Sequence, residues 1–317
     1  VKKLSFKKKI ILSASIFIIA SLVLLGLSYR MLQMLIFSGD NIFYGTKQSV
    51  LAQEIREELF KLNDIQNVKF KASEGLTLSG ILIRRPNAKA NMVLCHGYRA
   101  SKEFMYGFIN LFPQFNLLLF DFRAHGQSEG KIISIGCHEY KDVLAATEFM
   151  KNSVKTDEDK KIPFIILGLS MGAASSIKAA SLNPDLCDAL IIDSTFSDLG
   201  KMIVKGFAVK SGLPYYPFFP VLRWLFEYLA ECKIYEMSTV ESVKKITKPI
   251  LFIHSCNDNF ISPKHGLRLY ENASLSRYAR IWIAPKCRHG WLNSYYSDIY
   301  KKKVYSFLRK SLNLKID

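Results

Sequence analysis

Ser170 stands in Gly168-Leu169-Ser170-Met171-Gly172, after an apolar run over residues 162–167 and before an alanine-rich stretch over 173–182. That pattern reads as a strand, a sharp turn and a helix, with the serine at the apex. Such a turn lifts a hydroxyl out of a sheet, and side chains two residues either side would collide with the strand and helix it joins. A serine hydroxyl is a poor nucleophile at neutral pH. It needs a base beside it and an acid that orients the base.

Two residues further on can supply these. Asp258 follows an apolar strand in His254-Ser255-Cys256-Asn257-Asp258, and His289 follows the last strand in Lys286-Cys287-Arg288-His289-Gly290-Trp291. The chain order serine, aspartate, histidine suits a sheet whose sites lie at the carboxyl ends of its strands. Asp193 also ends a strand and is the rival acid. Asp258 is the preferred reading, on the resemblance given below, in which an aspartate ahead of the long insertion is in the wrong slot. His96 is read as structural, Asp121, Arg123 and His125 as a charged turn that braces the site, and His138, His254 and His265 as structural or exposed.

These residues need a scaffold. Short apolar strands are expected at 92–95, 117–120, 162–167, 189–192, 250–253 and 278–283. Helices are expected at 136–150, 171–182, 263–272 and 298–312. Continuous apolar strands alternating with helices indicate a mostly parallel sheet covered on both faces. Ahead of it, alternating residues at 68–71 and 76–83, with Glu74-Gly75 between them, predict an antiparallel hairpin. An amphipathic helix is expected at 49–62. Residues 195–246 break the rhythm, and their prolines and aromatics read as a helical cap over the carboxyl edge of the sheet.

Four motifs occur in order: His96-Gly97-Tyr98 after a strand, Asp121-Phe122-Arg123-Ala124-His125-Gly126-Gln127-Ser128-Glu129-Gly130, the turn at Ser170, and the Asp258 and His289 pair. Over residues 68–312 the chain resembles the α/β-hydrolase superfamily, and within it the membrane-anchored serine hydrolases related to serine aminopeptidases and monoacylglycerol lipases. One departure is Ala124, where the family often has glycine. The resemblance implies that Ser170 attacks an acyl carbonyl, that His289 takes and returns its proton, and that Asp258 orients His289. It also implies that the backbone N–H groups of Tyr98 and Met171 form an oxyanion hole, with no metal or organic cofactor.

The chain carries a formal net charge of +17 over 317 residues, with five lysines among its first nine. No basic run is interleaved with stacking aromatics, so the charge suits an anionic membrane surface rather than nucleic acid. An apolar run at 10–27, interrupted at Tyr29 and Arg30 and resumed at 31–37, reads as an uncleaved membrane-spanning anchor. A signal peptide is the rival, but its apolar core is shorter. The positive-inside rule places the lysines in the cytoplasm and the remainder across the membrane. Six cysteines show neither a CxxC nor zinc-ligand spacing and are read as mostly free thiols. The expected organisation is a tail and anchor at 1–37, a linker at 38–65 and a hydrolase domain at 66–317 with its cap at 195–246.

The expected reaction is hydrolysis of a carboxylic ester or thioester, the substrate lipid-like or acyl-bearing. Peptide or amide cleavage is the alternative, with Glu227, Glu231 or Glu236 of the cap as the anchor for an amino terminus. Transfer to an alcohol and a non-catalytic binding role also stand open. The cap aromatics have three readings: an acyl groove, the cap's own core, or a membrane-facing surface.

Overall fold

A computed structural model describes residues 5–37, 64–154, 162–203 and 214–316. The helix expected at 49–62 and nearly all of the 38–65 linker lie outside the described residues. The first described element is α1, Phe6–Ile36, a single helix that runs through Tyr29 and Arg30 without a break. Its Phe6–Gln33 portion is long and apolar enough to cross a membrane.

A hairpin follows, β1 (Asp64–Lys71) and β2 (Thr77–Arg84), paired antiparallel as expected. Next come β3 (Ala90–Cys95), a 3-10 turn at Lys102–Phe108, and β4 (Phe115–Phe120). Then α2 (Glu139–Ser153), β5 (Phe164–Leu169), α3 (Met171–Leu182) and β6 (Ala189–Asp193) alternate. The cap contains α4 (Tyr215–Leu229), a short 3-10 turn and α5 (Thr239–Val243). The chain ends through β7 (Ile250–Ser255), α6 (Pro263–Asn272), β8 (Ala279–Ala284), a short α7 (Leu292–Tyr295) and α8 (Ser297–Leu312).

The eight strands form one sheet in the order β1-β2-β4-β3-β5-β6-β7-β8. β2 meets β4 antiparallel, and every pairing from β4 to β8 is parallel. β3, β4, β5 and β7 are buried along their whole length. Alternate side chains feed opposite faces, because successive residues of a strand point to opposite sides. Leu118 and Phe120 of β4 join Met150 of α2 and Ile177 of α3 in one core, and Leu117 and Leu119 join Tyr300 and Tyr305 of α8 in the other.

The order has a functional consequence. From β3 the chain moves outward to β4, then returns past β3 to β5. Loops leaving β3 and β5 therefore diverge, and a crevice opens at their carboxyl ends.

Candidate active site

Ser170 sits between β5 and α3 with φ 54° and ψ −115°. A left-handed φ is strained for a residue with a side chain and persists only where the surroundings hold it. Here Ser170 N–H donates to Asp193 O at 2.8 Å, and Thr195 Oγ1 donates to Ser170 O at 2.8 Å. The flanking glycines are required by space. A Cβ on Gly172 would lie 2.3 Å from Cys95 O, and one on Gly168 would lie 2.5 Å from Ala173 Cα. Their absence lets β3, β5 and α3 close around the turn.

The site brings Ser170, His289 and Asp258 together from three distant parts of the chain. Ser170 Oγ is 2.9 Å from His289 Nε2, and His289 Nδ1 is 2.6 Å from Asp258 Oδ2. With the Nδ1 proton donated to the carboxylate, Nε2 accepts the serine hydroxyl. The other oxygen, Asp258 Oδ1, accepts the N–H groups of Phe260 and Ile261, each at 2.9 Å. Burial pushes the Asp258 carboxyl up, but the hydrogen bond and charge of His289 and the N–H of Ile261 outweigh it and hold the group below the usual carboxylate value.

Asp193 is differently placed. Its carboxylate accepts Ser194 Oγ–H at 2.8 Å and Tyr300 Oη–H at 3.0 Å. Burial raises its pKa to about 6, despite those two bonds. His254 lies behind the site, its Nε2 2.8 Å from Ile261 O and 3.6 Å from Asp258 Oδ2.

Tyr98 follows β3, and Met171 is the first residue of α3. A Cβ on Gly97 would stand 3.4 Å from Ser170 Cβ, so the two turns abut. The N–H of a helix's first residue has no intrahelical acceptor and points with the positive end of the helix dipole. His96 donates from Nδ1 to Gly97 O at 2.7 Å and accepts Phe122 N–H at 3.1 Å, and burial keeps it neutral by driving its pKa well down. Both ring nitrogens are thus taken up by the backbone of the surrounding loops. Arg123 binds Asp142 of α2 and Glu74 of the hairpin turn, and Asp121 binds Lys102, so the charged turn braces the loops around the cleft.

An open cleft is lined by Ser170 and His289. Its apolar walls come from Tyr98, Phe104, Leu169, Phe260 and Trp291. Phe104, Phe260 and Trp291 were not singled out from the sequence. The available signal was their position: Phe260 and Trp291 each stand two residues after a site residue, and Phe104 follows the turn at Tyr98. None of the described cap aromatics lines this cleft. Phe219 and Phe226 are buried in the core, whereas Tyr216, Trp224 and Tyr228 are 73%, 58% and 70% exposed. Glu227 is held by Arg223 at 2.9 Å. Among the described residues no group of histidine, cysteine and carboxylate side chains could hold a metal ion.

Comparisons with known proteins agree with this fold. The family model for serine aminopeptidases of the S33 type matches residues 86–231. The protein YqkD of Bacillus subtilis is 29% identical over 239 residues, covering 74% of this chain and 76% of its own. The Saccharomyces cerevisiae membrane protein YNL320W is 26% identical over 162 residues, covering 51% of this chain and 50% of its own. The crystal structure of the Pyrococcus furiosus esterase Pf2001 superposes with a TM-score of 0.61 at 21% identity, covering 82% of this chain and 93% of that one. Family and fold both support hydrolase activity. The sheet order and these likenesses give the chain the α/β-hydrolase fold and support its assignment to the α/β-hydrolase superfamily.

Proposed function

We propose that this chain is a membrane-anchored serine hydrolase that cleaves a carboxylic ester or thioester bearing an acyl chain. The observation that carries the reading is the unbroken hydrogen-bond chain from Ser170 Oγ through His289 to Asp258, at 2.9 and 2.6 Å. Ser170 attacks the carbonyl carbon while His289 Nε2 takes its proton. Asp258 holds the imidazole in the tautomer that accepts at Nε2 and stabilises the imidazolium. The N–H groups of Tyr98 and Met171 receive the developing oxyanion, and loss of one such donor raises a barrier by about 3 kcal/mol. His289 then protonates the leaving alcohol or thiol. Water, deprotonated by the same imidazole, releases the acid from the acyl-enzyme.

The cleft supports the substrate class. Its walls are aromatic and aliphatic, and none of the described residues lining it is acidic. An apolar acyl group fits such walls, whereas a free amino terminus calls for a carboxylate. The exposed Tyr216, Trp224 and Tyr228 of the cap carry the amphipathic aromatic surface that favours a membrane–water interface. The serine aminopeptidase description of the family model favours a second reading, cleavage of an aminoacyl amide.

In this reading residues 1–37 anchor the chain, 38–65 link, and 66–317 form the hydrolase domain with its cap at 195–246. The lysines precede the apolar run at 10–27 and stay in the cytoplasm. A disulfide between Cys137 and Cys232 supports an extracytoplasmic domain, since such bonds persist in oxidising compartments. Cys95, Cys187, Cys256 and Cys287 are free thiols.

A fluorophosphonate probe applied to membranes bearing the chain tests the reaction, with Ser170→Ala as control. Labelling that disappears in the variant is the expected result, and absence of labelling in folded wild type overturns the reading. Esters of increasing acyl length, set against aminoacyl amides, then separate the two substrate classes.

A further inference from the structure

The last turn of α1 ends on the loop that carries the proposed oxyanion donor. A helix leaves its final carbonyls without partners of its own. Here Tyr98 Oη donates to Leu35 O at 2.5 Å, and Arg99 Nη2 donates to Phe37 O at 3.0 Å. Ile133 N–H donates to Ile36 O at 2.6 Å. The Arg99 guanidinium thus stands at the negative end of the α1 dipole, where a cation is favoured. Ser28, Leu32 and Ile36 are buried at a four-residue spacing, which makes one face of α1 dock on the body and on α4. Before Ser28 the described helix is exposed almost throughout.

The loop receiving this helix is strained. Ala100 N–H donates to Gly97 O at 3.2 Å and closes a tight turn with Tyr98 and Arg99 at its centre. Arg99 has φ 53°, at the turn position that calls for glycine. Such a conformation needs support from its surroundings. His125 Nε2 provides it from within, accepting Arg99 N–H at 3.1 Å. The end of α1 provides it from outside, through both side chains.

We propose that the membrane-exit turn of the anchor, residues 35–37, is a working part of the active site. It braces the turn at 97–100 and so sets the direction of the Tyr98 N–H toward the oxyanion. The side chains of Tyr98 and Arg99 are positioning residues, and the anchor contributes to the chemical step as well as to location. This inference rests on the serine-hydrolase reading above.

The test uses the full chain in membranes, as wild type, Tyr98→Phe, Arg99→Met and Arg99→Lys. Each is assayed on an acyl ester and on the matching thionoester, whose sulfur accepts hydrogen bonds poorly and so reports on the hole. Arg99 does not line the cleft, so its variants leave the substrate-binding walls intact. Tyr98→Phe and Arg99→Met are expected to lower kcat on the ester about tenfold with little change in KM, and to shrink the ester-to-thionoester ratio of kcat/KM about threefold or more. Arg99→Lys, which keeps a cation at the helix end, retains a ratio close to wild type. An active wild type whose ratio is unchanged in both disrupting variants overturns this inference alone. A wild type that neither turns over ester nor takes the fluorophosphonate label overturns the serine-hydrolase reading, and this inference with it.

Discussion

Ser170 Oγ comes within 2.9 Å of His289 Nε2, its proposed base, because Gly168 and Gly172 have no side chain and one backbone position accepts strain. The same logic separates the two candidate acids. Asp258 faces His289 at 2.6 Å, whereas Asp193 spends its carboxylate on Ser194 and Tyr300. Asp258→Asn should therefore lower kcat by about 10⁴-fold, the scale expected when the base is held in the wrong tautomer. Asp193→Asn keeps the side chain's shape but turns one of its two acceptors into a donor, so one hydroxyl partner must rotate to accept. Because Asp193 does not touch His289, the variant should stay within about tenfold of wild type on the same ester assay, well short of the loss expected from a wrong-tautomer base. Reversal of that order, with both variants folded, would exchange their roles. Ala124 has φ 58°. The glycine common at this position in the resembling family would sit there without strain, and the departure lies in the bracing turn, away from the reacting atoms.

Individual elements are joined to one another by a few specific ties. The disulfide from Cys137, just before α2, to Cys232, just after α4, fastens the cap to the body, and His138 Nε2 adds a contact to Ala230 O at 2.9 Å. Cys232→Ser should cost about 2–4 kcal/mol in a denaturant melt, the usual scale for opening a long loop. A melt unchanged by the substitution would show that the cap is held by packing alone. The hairpin is tied to the bracing turn through Glu74, which binds Arg123 and Lys141. Burial tends to raise the Glu74 pKa, but these bonds prevail and lower it from 4.5 to about 2. A carboxylate whose folded pKa is depressed contributes stability above its unfolded pKa and loses it as pH falls toward the folded one. Stability should thus decline between pH 4.5 and pH 2, and Glu74→Gln should flatten that decline. The side chain is about one-third exposed, so added salt weakens the effect.

On the scale of the whole molecule, α1 is 31 residues, roughly 46 Å at 1.5 Å per residue. That exceeds a hydrocarbon core of about 30 Å, so the span can be crossed with turns left over to dock on the domain. A reporter active only outside the cytoplasm, fused to the carboxyl terminus, should give signal. A cytoplasmic signal there would reverse the proposed topology. The helix α4, which carries the proposed interfacial aromatics, packs against α1, the proposed span.

Much of this was legible along the chain because it is local. Strand and helix identities follow from runs of apolar residues, and α3 and α6 begin and end where the sequence pattern places them. The turn at Ser170 is encoded by its own two glycines, and the order of serine, aspartate and histidine follows from the fold class. Other features depend on residues far apart in sequence and close in space. No local pattern pairs Cys137 with Cys232, sends Tyr216, Trp224 and Tyr228 of the cap outward while burying Phe219 and Phe226, or gives the cleft its walls of Phe104, Phe260 and Trp291. Nor does any local pattern dock the end of the anchor on the turn at Tyr98. Periodicity and turn chemistry act over a few residues, and the chain alone determined what they govern. The partners that satisfy a strained turn, an open helix end or a buried carboxylate are chosen by packing, and only the tertiary structure decided those.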